Sequence, residues 1–257
     1  MRGAGQLQQD ENAIANGLDT IARHGGEVVA LMRVLHARLQ DAQAIGSVAP
    51  LMEFLAANMD KAALRVAHVK VACHKGCAHC CHRWVTVFAP EAIHVVKSLG
   101  ARRAAAQSAV QASLEQTRGT DIHQRGRMTL ACSLLGADGA CSVYETRPLT
   151  CRTGTSIDAD VCARVYSGSS DEGVTFPGVW GRMRLGYSLA LTGALRHAGL
   201  SFTPAEYQHA LERVMTAPEC EAQWLAGTDI FAGLPQDPAG DPFQVPENRA
   251  LFTAAFG

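Results

Sequence analysis

Apolar positions along the chain set out its first elements. Val28, Leu31, Met32, Leu35 and Leu39 recur at three- and four-residue steps, the pattern of one buried helical face. Leu51, Met52, Leu55, Met59 and Val66 repeat it, and Gly46, Ser47 and Pro50 mark the loop between the two helices. The spacing predicts an antiparallel helix pair that covers the segment following it. Residues 84–88 form a short β-prone stretch. Pro90 then suits a first helical position with Glu91 in the first turn, and Ile93, Val96 and Leu99 give that helix its apolar side. Residues 101–120, rich in Ala and Gln, continue as helix. Residues 130–135 and 140–144 flank Gly136-Ala137-Asp138-Gly139 and read as a small β-hairpin or metal knuckle. Arg147-Pro148 forces a turn just before Cys151. A loop over 171–180 leads to a helix over 183–198 closed by Gly199. Thr203-Pro204-Ala205-Glu206 reads as a capping-box start for a helix whose buried stripe is Tyr207, Leu211, Val214 and Met215. Beyond Gly233, the density of Pro, Gly and Asp predicts a tail extended over the surface.

Composition narrows the class. With 257 residues, 47% apolar and 18% charged, the chain has a globular balance and enough length to bury a core without staples. Abundant Ala favours helix. The expected fold class is mostly α: a helical domain with a cysteine-rich metal-binding centre and a small irregular β-hairpin. Its expected parts are an N-terminal helical segment (1–70), a cysteine-cluster core (71–165) and a C-terminal helical segment with the extended tail (166–257). The formal net charge is −1 with both signs interspersed, which argues against a nucleic-acid footprint. No apolar run approaches the roughly 18 residues of a membrane span. Residues 1–10 are polar and lack the apolar core of a secretory signal. The expected compartment is the cytoplasm, where thiols stay reduced.

Cysteine changes the picture most. There are nine, and eight of them lie between residues 73 and 162. A disulfide framework suits small secreted chains, whereas clustered cysteines in a reducing compartment bind metal. The densest run is Cys73-x3-Cys77-x2-Cys80-Cys81. If helical, it would place four sulfurs within roughly a 100° arc. Its flanks, His74, Lys75, His79, His82 and Arg83, are polar, unlike those of buried apolar cysteines. Adjacent Cys80 and Cys81 should point in different directions, so both need not hold one ion. Cys132, Cys141 and Cys151 can complete a four-ligand site. Both an iron–sulfur cluster and zinc accept such donors. Arg83, Arg147 and Arg152 can offset thiolate charge, or form ordinary surface ion pairs. The histidines read as outward-facing or supporting groups, Cys220 as structural, and Trp180, Tyr187 and Tyr207 as core or groove aromatics.

Two motifs carry a resemblance. Cys77-Ala78-His79-Cys80-Cys81 ends a cysteine run, and Cys141 to Arg152 spells C-x-x-Y-x-x-R-P-x-x-C-R. Together with Phe88-Ala89-Pro90-Glu91-Ala92, these residues resemble the YkgJ-type cysteine-cluster family of zinc- or iron-chelating proteins over residues 73–152. The first gap has three residues where the family motif has two, and Ser133 stands where the family often has proline. Some members of the family are associated with protein lysine methylation, but no cofactor motif here extends that activity to this chain. The spacing of Cys73, Cys77 and Cys80 also equals that of radical S-adenosylmethionine enzymes, whose three cysteines hold a four-iron cluster, although strand signals are too few for their barrel.

The resulting expectation is a metal-binding protein whose ligands come from Cys73, Cys77, Cys80, Cys81, Cys132, Cys141 and Cys151. An iron–sulfur cluster, of the 4Fe-4S kind, leads; zinc in a structural or carrier role and an S-adenosylmethionine-dependent enzyme are the alternatives. The expected partner is the metal ion or cluster, without nucleic acid or membrane; a protein partner is left open.

Overall fold

The computed structural model describes residues 25–236 and 240–257. The polar stretch 1–10 and the first 24 residues of the N-terminal segment lie outside them. Helix α1 (Gly26–Ile45) and α2 (Ala49–Arg65) form where the periodicity places them. Gly46 closes α1 in the left-handed region at φ 69°, a conformation that costs glycine little. All ten apolar positions that define the two stripes are buried.

The middle of the chain follows as β1 (Thr86–Val87), α3 (Ala89–Ser98), α4 (Arg103–Thr117), α5 (Ile122–Arg127), α6 (Leu149–Thr153) and α7 (Ala159–Tyr166). Helix α8 (Gly178–His197) begins five residues earlier than its apolar pattern suggests and packs along α1. Gly193 makes that approach close: a Cβ there would stand 2.9 Å from the Met32 Sδ. Strand β2 (Ala205–Glu206), α9 (Tyr207–Thr216) and α10 (Cys220–Leu225) follow. The mostly helical fold class is borne out, with little strand around a cysteine-rich knuckle.

Two expectations need correction. Thr203 does not cap the helix that follows it. Ala205 and Glu206 instead pair antiparallel with Val87 and Thr86, and Glu206 becomes the cap. Its carboxylate accepts the His209 N–H at 2.9 Å. Pairing with β1 recruits the residues that would have formed the first turn. The C-terminal tail is not extended: α11 (Pro246–Phe256) packs on α1. Pro246 opens this helix, where a missing N–H is harmless. Phe256 stacks on His197 at 3.9 Å, and the Arg33 Nε donates to the Ala255 carbonyl at 3.1 Å. Among the described residues, no helix is long and apolar enough to cross a membrane.

The short sheet positions what comes next. Because β1 lies just after the cysteine run and β2 just before α9, their pairing carries Tyr207 and Gln208 to the cysteines. The Tyr207 N–H donates to the Val85 carbonyl at 2.9 Å and fixes that approach.

Candidate metal centre

The first four cysteines do not lie on one α-helix. Cys73 and Cys77 flank a turn in which the Cys77 N–H donates to the His74 carbonyl at 3.0 Å. Gly76 makes the turn possible at φ 92°, a region strained for residues with a Cβ. His79–His82 then forms a single 3-10 turn carrying Cys80 and Cys81. The helical-arc expectation therefore fails, since a tight turn and a 3-10 segment aim the sulfurs inward by loop geometry. The Cys80 and Cys81 thiols also lie close to each other rather than diverging. Hydrogen bonding from the Cys81 thiol lowers the Cys80 pKa, and the same bond, together with burial, raises Cys81.

The second half of the site docks onto this run. The Cys132 N–H donates to the Cys81 carbonyl at 2.8 Å, joining segments some fifty residues apart. Around Gly136–Gly139 the chain turns back, with Leu135 bridged to Cys141 and the Ser142 N–H donating to the Leu134 carbonyl at 2.9 Å. This is the expected knuckle, with one bridge in place of a full hairpin ladder. Cys151 arrives on α6 after the turn at Pro148. Glu91 sets that arrival: its buried carboxylate accepts the Leu149 N–H at 2.6 Å and the Phe88 N–H at 2.8 Å. One side chain thus joins the starts of α3 and α6.

These segments enclose a cavity of about 250 Å³. Cys73, Cys77, Cys80, Cys81, Cys132, Cys141 and Cys151 all line it. All nine cysteines of the chain are free thiols. Burial raises the pKa of Cys73, Cys132 and Cys151, with Cys132 pushed up to about 11, so these sulfurs are held as neutral thiols. Among the described residues, no group of three His, Cys, Asp or Glu side chains is gathered tightly enough to hold a metal ion as it stands. A cation entering the cavity would have to displace thiol protons and draw the sulfurs inward.

Polar groups meet several sulfurs. The Ser156 N–H donates to the Cys73 sulfur at 3.2 Å. The Gln208 Nε2 reaches the Cys132 sulfur at 3.7 Å, and the Ser133 hydroxyl holds the Gln208 carbonyl oxygen at 2.5 Å. The departure at Ser133 therefore has a consequence that proline could not supply: a hydroxyl that orients the amide facing Cys132. The arginines divide their roles. Arg83 helps to lower the Cys80 pKa and donates to the Tyr166 hydroxyl at 3.1 Å. Arg147 lies over the Tyr144 ring at 3.6 Å. Arg152, its side chain 7% exposed, pairs with Asp60 at 2.7 Å and bonds the Arg147 and Glu145 carbonyls, so it braces the loop rather than the sulfurs.

His74 and His82 each place Nδ1 against a backbone carbonyl, of Ala72 at 3.1 Å and of Ala78 at 3.2 Å. Tyr207 and Trp180, read as core or groove aromatics, form part of the cavity wall, as does Arg125. Arg125 escaped sequence reasoning because nothing in its polar stretch, which also holds Arg118 and Arg127, marks it out. Cys162 is buried and lines a neighbouring space of about 40 Å³ shared with Cys73, Cys77, Cys80 and Cys151. Cys220, beneath α9 with its thiol facing the Arg213 carbonyl at 3.6 Å, is not part of either lining.

Residues 72–167 match the family model described as "CxxCxxCC: Putative zinc- or iron-chelating domain". The match covers somewhat more than a third of the chain's length and runs past Arg152 to take in Cys162. No curated protein and no solved structure matches the chain. Metal binding is the property that the domain supports.

Proposed function

We propose that this protein holds an iron–sulfur cluster of the four-iron type through cysteine thiolates. Its ligands are drawn from Cys73, Cys77, Cys80, Cys81, Cys132, Cys141 and Cys151. The observation that carries this reading is that all seven thiols line one cavity of about 250 Å³. A lone ion among four sulfurs needs no such space, whereas a cluster with its own sulfides does. Cys73-x3-Cys77-x2-Cys80 supplies three thiolates at a spacing known for four-iron clusters, and the knuckle and α6 offer the fourth. Donors at the sulfurs, Ser156 N–H and Gln208 Nε2, suit a centre of net negative charge. When bound, such a cluster stores and passes single electrons. The residues of this chain hold it, shield it and set its surrounding charge. Nine free thiols fit a reducing compartment, and we place the protein in the cytoplasm.

Zinc is the second reading, and one observation favours it. His74 lines the cysteine cavity, and its Nδ1 faces the Ala72 carbonyl, as the second ring nitrogen of a zinc-ligating imidazole ordinarily does. Anaerobic purification followed by visible absorbance and assay of iron, zinc and acid-labile sulfide separates the two. The iron–sulfur reading expects coloured protein with iron and sulfide in matching amounts. Colourless, iron-free protein with stoichiometric zinc overturns it.

A further inference from the structure

The wall of the cysteine cavity holds a second chemistry besides thiols. Arg125 is 3% exposed, and its Nε and Nη1 atoms have no hydrogen-bond partner among the described residues. Trp180 Nε1 and Thr155 Oγ1 are also buried without a partner. All three residues line the same cavity. Buried polar groups are ordinarily satisfied, and a buried guanidinium without a counter-charge is strongly disfavoured. Arg147 Nε and Tyr207 Oη on the same wall are buried without a partner as well, and five such residues around one space point to a ligand that completes them.

We propose that the cavity contains a small-anion subsite, built by Arg125, Trp180 and Thr155, that takes a ligand presenting carboxylate or phosphate oxygens beside the cysteines. The guanidinium supplies the positive charge and a planar set of N–H donors suited to such oxygens. The indole N–H and the threonine hydroxyl add neutral donors, so every group invoked can donate. The subsite deepens the reading of the cavity as a metal centre, because an anion held there would sit against whatever the thiolates bind. The competing account is that Arg125 only offsets the charge of the centre itself. That account ties Arg125 to metal content, whereas the subsite ties it to binding of a separate ligand.

The test uses the protein as purified, with its metal. Acetate, succinate and inorganic phosphate are titrated separately by calorimetry, and metal content is measured on the same samples. Arg125→Gln removes the charge while keeping similar bulk, and Trp180→Phe removes only the indole N–H. Saturable binding of at least one probe, weakened at least tenfold by Arg125→Gln and measurably by Trp180→Phe at unchanged metal content, is expected. The carboxylate and phosphate arms show which oxyanion the subsite prefers. If Arg125→Gln fails to fold or to load metal, the Trp180→Phe comparison decides. Absence of binding of all three probes at millimolar concentration overturns the subsite, as does binding that Trp180→Phe leaves unchanged. Metal-free wild-type protein would contradict the metal reading while its titration still decides on the anion.

Discussion

Glu91→Ala removes one buried carboxylate that accepts two backbone N–H groups, from Phe88 and Leu149. Both donors would be left in a region where Glu91 itself is only 3% exposed. Leaving a buried donor unpaired costs about 1–3 kcal/mol, so the pair amounts to about 4 kcal/mol. Burial works against this contribution, pushing the Glu91 carboxyl up to about 7 despite the opposing pull of the two N–H groups and of Arg152. A raised acid binds its proton more tightly in the folded state. Wild-type stability from this group is therefore fullest below its unfolded pKa and declines as pH rises toward 7. At roughly 1.4 kcal/mol per pH unit, the wild-type advantage over the variant should shrink by about 2 kcal/mol between pH 5.5 and pH 8. Urea unfolding of both proteins at the two pH values measures the difference. A loss below about 1 kcal/mol at pH 5.5, or one that grows toward pH 8, would refute the assignment of Glu91 as the joint between α3 and α6.

Other consequences are open to simpler checks. Cys77→Ser should lower bound metal substantially, whereas Cys220→Ser, outside the cavity linings, should leave it unchanged; equal loss in both would overturn the ligand assignment, as read by elemental analysis. Because burial raises the Cys73, Cys132 and Cys151 thiols, metal uptake must release protons, so affinity should strengthen as pH rises from 6 to 8 in a competition titration with a chelator. A flat profile would contradict neutral thiols. Tyr187→Phe removes a buried 2.7 Å hydrogen bond to Asn58 Oδ1 and should destabilise by about 1–2 kcal/mol in urea without altering metal content.

Much of the helical frame is legible in the sequence because its signal is periodic. The stripes beginning at Val28 and Leu51 bury as spaced, and Pro90 with Glu91 opens α3. The misreadings occur where a long-range partner decides. Nothing local distinguishes Ala205 and Glu206 as strand from a first helical turn; β1, far earlier in the chain, does so. In the tail, prolines and glycines outweighed the short apolar pattern of Leu251, Phe252 and Phe256, which finds its partner only on α1. The site divides in the same way. Seven cysteines announce themselves by type and spacing, and the fold brings all seven to one cavity. Gln208 and Arg125 carry no spacing signal, because each reaches the site through tertiary packing alone, and Glu91, legible as a first-turn residue, meets the Leu149 N–H only in the fold. Ser133 was visible only as a departure, and the hydrogen bond it makes to Gln208 required the fold.

X-ray absorption at the iron and zinc edges of the anaerobically purified protein tests the central claim most directly. A cluster held by these thiolates gives an iron edge with a sulfur-only first shell and iron–iron scattering beyond it, both diminished in Cys77→Ser. A filled zinc edge with a sulfur, or mixed sulfur and nitrogen, shell and no iron signal would contradict it.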